Sequence, residues 1–235
     1  MSTLRSQITS LLSAIPLDFG GGCSASKAYV MATLIRELRF RATLDIGVYR
    51  GRSLLPQALA HRRYTGGVAY GVDPWSKEEA KQHDNRCLKA ELDRFVEATD
   101  FDAIYHDVDR LKSAAALDSH CLLLRTTSAA AASYFRESGL TFGLIHIDGN
   151  HDTAVLVQDV RDFEPLLDRE GILVMDDVSW ESVQPAYDIV ASTMRCLFRR
   201  VDATNDYAVF WKTASAPSFA PPWHGLFRED FVINR

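Results

Sequence analysis

Three acids and a histidine stand at the ends of two apolar runs in the second half of the chain. Asp148 closes FGLIHID (142–148), Asp176 and Asp177 close GILVMDD (171–177), and His151 sits in the turn Gly149-Asn150-His151. If the two runs are neighbouring strands, their acidic ends share one face. Three carboxylates brought together repel, raise one another's pKa and cost stability unless a cation or protons intervene. An all-oxygen set without cysteine selects a hard ion such as Mg²⁺, with Asp148, Asp176 and Asp177 as its ligands. Such an ion binds a hydroxyl, lowers its pKa and aims it at an electrophile. His151 can take the hydroxyl proton, and Asp148 is the other candidate base. Plainer uses exist. Asp148 can bond the following turn, Asp177 can cap a helix near 180, and His151 can serve as a partner to a carboxylate. His146, inside its run, reads as a core histidine.

A second cluster lies nearer the N-terminus. The run TLDIGV (43–48) leads into Asp45-Ile46-Gly47-Val48-Tyr49-Arg50-Gly51, with a helix beginning near Ser53. Two glycines at that spacing allow a sharp turn and let a ligand lie against main-chain N–H groups. The dinucleotide fingerprint G-x-G-x-x-G is absent, because position 49 is Tyr and the second glycine comes four residues after the first. The next run, VAYGVD (68–73), ends in Asp73, where a carboxylate can accept both hydroxyls of a ribose. Trp75 beside it is a candidate nucleoside contact, with packing as its plainer role.

These residues need strands to carry them. Five short, near-continuous apolar runs (43–48, 68–73, 121–126, 142–148 and 171–177) have the pattern of strands buried on both faces of a parallel sheet. Segments of helical period lie between them. Residues 26–41 put Val30, Leu34, Ile35 and Leu38 on one face, 129–138 is Ala-rich, and 152–168 carries Val155, Val157, Val160 and Phe163. Strand alternating with helix predicts a doubly wound α/β sheet with right-handed crossovers. Residues 77–98 read as one charged helix, with a second unit near 101–118. The segment 74–120 as a whole reads as an insertion too polar for core that covers the mouth of the sheet. After 180 a helix with Pro185 in its first turn precedes a last strand, DYAVFWK (206–212). No repeat is visible, and 1–235 reads as one domain, with an N-terminal helix or lid over 1–25 and a Pro-rich tail over 213–235.

Composition narrows the function classes. Of 235 residues, 47% are hydrophobic and 24% charged, the mix of a globular protein. Lys+Arg 26 against Asp+Glu 31 leaves −5, so no basic field draws the chain to nucleic acid. Arginine groups at 36–41, 50–52, 62–63 and 195–200 read as solvated helix faces. Cys23, Cys87, Cys121 and Cys196 are scattered without zinc spacing and suit a reducing compartment. The N-terminus reads as a short amphipathic helix stopped before Pro16, and no stretch approaches the roughly 18 apolar residues of a membrane span. A cytoplasmic protein without membrane or nucleic-acid partners is expected.

The order of these features carries a resemblance. D-x-G-x-x-x-G after the first strand, an acid ending the second, I-D-G-x-H after the fourth and D-D ending the fifth resemble class I S-adenosylmethionine-dependent methyltransferases. Within them the chain is similar to small-molecule O-methyltransferases, among them the Mg-dependent sugar-modifying enzymes of antibiotic pathways. The likeness covers about residues 25–212 and is most specific in IHIDGNHDTAVLVQDVRDFEPLLDREGILVMDDV. It implies a Rossmann-like, seven-stranded, mostly parallel sheet with an antiparallel last strand, binding S-adenosylmethionine at the carboxyl ends of strands one to three. By the same resemblance Asp45, Gly47 and Gly51, with Tyr49 between the glycines, line the methionine part. Asp73 and Trp75 belong to the ribose and nucleoside, and Thr127 or Ser128 to the adenine. The family's frequent Tyr shortly after the histidine is replaced here by Asp152-Thr153.

The expected activity is thus Mg²⁺-dependent O-methylation of a small polar molecule, such as a sugar or another natural-product intermediate. Trp180, Trp223 and Phe227 are candidate walls of the acceptor pocket, and the N-terminal helix and tail aromatics suit a homodimer contact. An NAD(P)-dependent reductase would need a tighter glycine fingerprint and a Tyr-x-x-x-Lys pair, which the chain lacks. A non-catalytic nucleoside-binding domain is the other alternative.

Overall fold

The computed structural model describes residues 3–18, 22–202 and 204–213. Seven strands form one sheet in the order β3-β2-β1-β4-β5-β7-β6. They are β1 (Ala42–Ile46), β2 (Val68–Asp73), β3 (Cys121–Arg125), β4 (Phe142–Ile147), β5 (Leu167–Asp176), β6 (Arg195–Asp202) and β7 (Asn205–Trp211). The first five run parallel, and β7 is antiparallel to both of its neighbours. This is the α/β, doubly wound, mostly parallel arrangement expected. Strand order reverses between β1 and β4, so the crevice at their carboxyl ends is where such sheets take ligands.

Helices α1 (Leu4–Ser13), α2 (Ala25–Leu38), α3 (Leu54–Ala60), α4 (Lys77–Ala80), α5 (Lys89–Ala98) and α6 (Phe101–Ala114) precede β3. Helices α7 (Ser128–Ser138), α8 (Thr153–Phe163) and α9 (Gln184–Thr193) follow it. Short polar side chains start several of them by accepting N–H bonds: Thr3 for α1, Ser24 for α2, Asp100 for α6 and Thr127 for α7. Two buried clusters cover the sheet, one built on α1, α2, α3 and α6, the other on α7, α8 and α9.

Several sequence expectations are corrected. The helix read over 152–168 stops at Phe163, because Pro165 turns the chain into a 3₁₀ segment and β5 then begins at Leu167. Its buried residues are Leu156, Asp159, Val160 and Phe163, while Val155 faces outward. The charged helix over 77–98 is two helices. Between them the Asp152 carboxylate accepts the N–H groups of His83 and Asp84, and Asp84 accepts that of Thr153, which ties the break to the start of α8. Nor is 74–120 too polar for core, since Val96, Phe101, Ile104 and Val108 are buried against the first face and Leu92 is buried as well. Arg195–Arg200 lie on the edge strand β6 rather than on a helix, a position where charge blocks further pairing.

One turn fixes how close β1 and β4 come. Gly47 has φ +85°, donates to the Val72 carbonyl, and faces the backbone of Asp148, whose carbonyl a Cβ at position 47 would overlap. Gly47→Ala combines left-handed strain of about 1–3 kcal/mol with that clash. It is expected to lower stability by at least about 3 kcal/mol in urea denaturation, and a loss under about 1 kcal/mol would show that the two strand ends can separate freely.

Candidate functional site

A cavity of about 740 Å³ opens across the carboxyl ends of the strands. Gly47 and Tyr49 after β1, Asp73 at the end of β2, Thr127 and Ser128 at the start of α7, and Asp148, His151, Asp176 and Asp177 after β4 and β5 all border it. Leu88, Leu92, Phe95 and Phe101 supply an apolar wall. Asp45, Gly51 and Trp75 do not border the cavity. Asp45 is buried beneath it, with one carboxylate oxygen 2.7 Å from His146 Nδ1. Trp75 is buried edge-on to Tyr105, and its indole N–H donates to the Tyr49 carbonyl at 2.9 Å. It braces the glycine turn.

Asp73 is held from both sides. Its Oδ2 accepts the Tyr49 N–H at 2.9 Å and its Oδ1 the Trp75 N–H at 2.6 Å. Burial pushes its pKa up to about 6, against the pull of those N–H donors, so it is mainly a carboxylate at neutral pH. Tyr49 (φ 45°), Trp75 (φ 43°) and Asp177 (φ 50°) are left-handed non-glycine residues around the same cavity. Each costs on the order of 1–3 kcal/mol, a strain that the surrounding hydrogen bonds must sustain. The Asp177 N–H, for example, is anchored on the Asp206 carbonyl at 2.7 Å.

The acidic cluster contains a residue that the sequence reading missed. Lys27, 2% exposed in the first turn of α2, donates from Nζ to Asp176 Oδ2 and lies 3.6 Å from Asp148 Oδ2. Burial opposes its charge, but the combined pull of Asp176, Cys23 and Asp148 outweighs that and holds the ammonium well above its ordinary pKa. Asp176, pushed up by burial, is brought down to about 2 chiefly by Lys27. Asp148 is driven well above the carboxylate range by burial and by the charge of Asp176. Burial and Asp176 likewise raise Asp177 to about 8. A signal for Lys27 existed: it stands three residues before Val30 and seven before Leu34, in line with the apolar stripe of its helix.

Asp148 faces two ways. Its Oδ2 looks inward to Lys27 and to His146 Nε2 at 3.9 Å, and its Oδ1 looks to His151 Nε2 at 3.8 Å. His151 Nε2 is also 3.5 Å from Asp177 Oδ2, and its ring lies 5.1 Å from that of Trp180. Both ring nitrogens of His151 are buried without a hydrogen-bond partner, and burial lowers its pKa to about 4. Among the described residues, the ligand atoms that converge are His146, Asp148 and Asp176, or Asp148, His151 and Asp177. The expected set Asp148, Asp176 and Asp177 is not one of these groups. Asp176 points to Lys27, whose ammonium also lies within ion-pair distance of Asp148 in the inner group. Trp223 and Phe227 lie outside the described residues.

Residues 44–178 match a protein family described as a methyltransferase domain. No curated protein matches the sequence. The chain is similar in structure to an O-methyltransferase from Bacillus cereus in complex with S-adenosylhomocysteine, with 11% identity, 90% of this chain and 92% of that one covered, and a TM-score of 0.62. It is similar to TomG of Streptomyces achromogenes, an O-methyltransferase involved in tomaymycin synthesis and bound to S-adenosylmethionine (11% identity, 91% of each chain, TM-score 0.62). A methyltransferase from Podospora anserina with bound S-adenosylhomocysteine aligns at 15% identity, 90% and 89% coverage and a TM-score of 0.55. At these identities the likeness is one of fold. No helix among the described residues is long and apolar enough to cross a membrane.

The buried, neutral His151 gives stability a pH dependence. The unfolded side chain binds a proton below about 6.5 and the folded one only near 4. The contribution of His151 to stability is therefore full above pH 6.5 and is lost as pH drops toward 4, with His61, also lowered to about 4 by burial, acting in the same direction and Asp177, raised to about 8, acting against them. His151→Gln should flatten part of that decline in urea denaturation at pH 7 and pH 5. Equal slopes for the two proteins would mean that His151 titrates as it does in water.

Proposed function

The chain belongs to the methyltransferase-domain family, class I and S-adenosylmethionine-dependent, and on that premise we propose that it methylates a hydroxyl oxygen of a small polyhydroxylated molecule. A sugar or a related natural-product intermediate fits that description. The observation that carries this reading is the pairing, in one cavity, of a pre-oriented Asp73 with the His151–Asp177 pair.

Asp73 fits a ribose. Two backbone N–H groups fix its carboxylate at the cavity wall, and lone pairs remain for two vicinal hydroxyls. Gly47 and Tyr49 are the chain's contacts toward the methionine part, and Thr127 and Ser128, at the start of α7, toward the base. When bound, S-adenosylmethionine supplies a methyl group on a positively charged sulfur. The protein's work is to hold an acceptor oxygen in line with that carbon and to exclude water.

The acceptor end is polar. Asn150, Thr204 and Asp206 border it beside the acids, and Trp180 offers an apolar face to ring C–H groups. The acceptor proton passes to the His151–Asp177 pair. His151 is neutral with a free ring nitrogen to accept the proton, and the Asp177 carboxyl, raised to about 8, stands beside the ring that takes it. Asp148 Oδ1 faces the same ring nitrogen, Nε2, at 3.8 Å. Magnesium on Asp148, Asp176 and Asp177 does not fit these residues, because Asp176 is bound to Lys27. The remaining group includes a histidine nitrogen, which a hard ion does not favour.

Calorimetric titration with S-adenosylmethionine and with NADH tests the reading, binding being expected for the first alone. Asp73→Ala should weaken that binding at least about tenfold, equivalent to the loss of about 1.4 kcal/mol. His151→Ala should leave it unchanged and lower kcat by about 10²–10⁴ with an accepted substrate. Binding of NADH in place of S-adenosylmethionine would sink the proposal.

A further inference from the structure

The first turn of α2 delivers a lysine into a place where the neighbouring strands end in acids. Lys27 touches Asp176 and lies within ion-pair distance of Asp148, and it is 2% exposed. Its position is built in from several sides. Ser24 accepts the Lys27 N–H, and the hydroxyls of Ser24 and Ser26 both donate to the side-chain carbonyl of Asn205 at the start of β7. The helix start that carries the ammonium is thereby pinned to the strand beside β5. A lysine brought in merely to pack would not need three polar anchors around its own turn.

We propose that Lys27 is the resident cation of this site, standing where a divalent ion would otherwise bridge Asp148 and Asp176, so that the acids are organised for methyl transfer by a covalently attached charge. This rests on the reading of the cavity as the methyl-transfer site and deepens it. The Asp148 Oδ2 and Asp176 Oδ2 atoms that an ion would need are those facing Nζ. Lys27 is a positioning residue: it acts on the acceptor through Asp148 and Asp176.

The test is Mn²⁺ binding, read by electron paramagnetic resonance and calorimetry on the full chain. Wild-type protein and Asp176→Asn should bind Mn²⁺ alike, within about threefold, because Asp176 is not available as a ligand. Lys27→Met bares two buried carboxylates and should bind Mn²⁺ at least tenfold more tightly, and Lys27→Met/Asp176→Asn should lose that gain. Wild-type binding that falls tenfold or more in Asp176→Asn would overturn the proposal, as would a folded Lys27→Met without a gain. If Lys27→Met does not fold, the comparison of wild type with Asp176→Asn still decides. S-adenosylmethionine titrated into the same wild-type sample separates the two claims: no binding there defeats the methyltransferase assignment of the cavity and leaves the Mn²⁺ result intact.

Discussion

Everything at the carboxyl end of this sheet depends on one buried ion pair. Parallel strands β4 and β5 end side by side, and each presents an acid there. Without a cation the two charges would repel at low dielectric, and one would have to keep a proton. Lys27 settles which. It neutralises Asp176, so the mismatch falls on Asp148 and Asp177, the carboxyls nearer the cavity. Burying a lysine costs several kcal/mol of hydration, recovered only by close and well-directed contact. The polar anchors at Ser24, Ser26 and Asn205 provide that direction. An interaction between helix α2 and strand β5, 149 residues apart, therefore governs protonation at the site.

Backbone strain is the second organising feature. Gly47 lets the β1 turn approach Asp148, while Tyr49, Trp75 and Asp177 adopt left-handed conformations that their side chains disfavour. The strained residues brace one another. Asp73 accepts from Tyr49 and Trp75, and the Trp75 indole returns a hydrogen bond to the Tyr49 carbonyl. This closed circuit fixes the Asp73 carboxylate before any ligand arrives, which reduces the entropy lost on binding.

The parallel strands were legible because burial on both faces leaves an uninterrupted apolar run, and the structure finds strands in all five runs. The acids at strand ends were legible for the same reason: a polar residue that closes such a run marks the rim of the sheet. The edge strand β6 was not, since one exposed edge admits arginines that mimic a helical surface. The break in 77–98 was hidden because its cause, Asp152, lies on another element. Lys27 was hidden for a related reason. Its spacing placed it on a buried stripe, but only the folded chain shows the carboxylates that let a lysine stay there. Trp75 misled in the opposite direction, because adjacency to Asp73 in sequence became a brace behind the wall.

Asp148 joins the two halves of the cluster, and its two oxygens explain why they cannot act independently. Oδ2 shares the field of Lys27 and Asp176, and Oδ1 faces the imidazole that also meets Asp177. On the proposed function, a proton taken up by His151 would form an imidazolium whose Nε2 faces both carboxyl groups, and each of these would then favour its ionised form. The inner ammonium limits that response, because Asp148 already lies within its attraction. Burial lowers the pKa of His151, so any positive charge formed on its ring depends for its stabilisation on the carboxyl groups of Asp148 and Asp177 beside it. On the proposed function, the cluster thus holds carboxyls beside the place where charge would develop during the reaction. A fixed ammonium on α2 suits that division, since a cation tethered to a helix cannot leave with product.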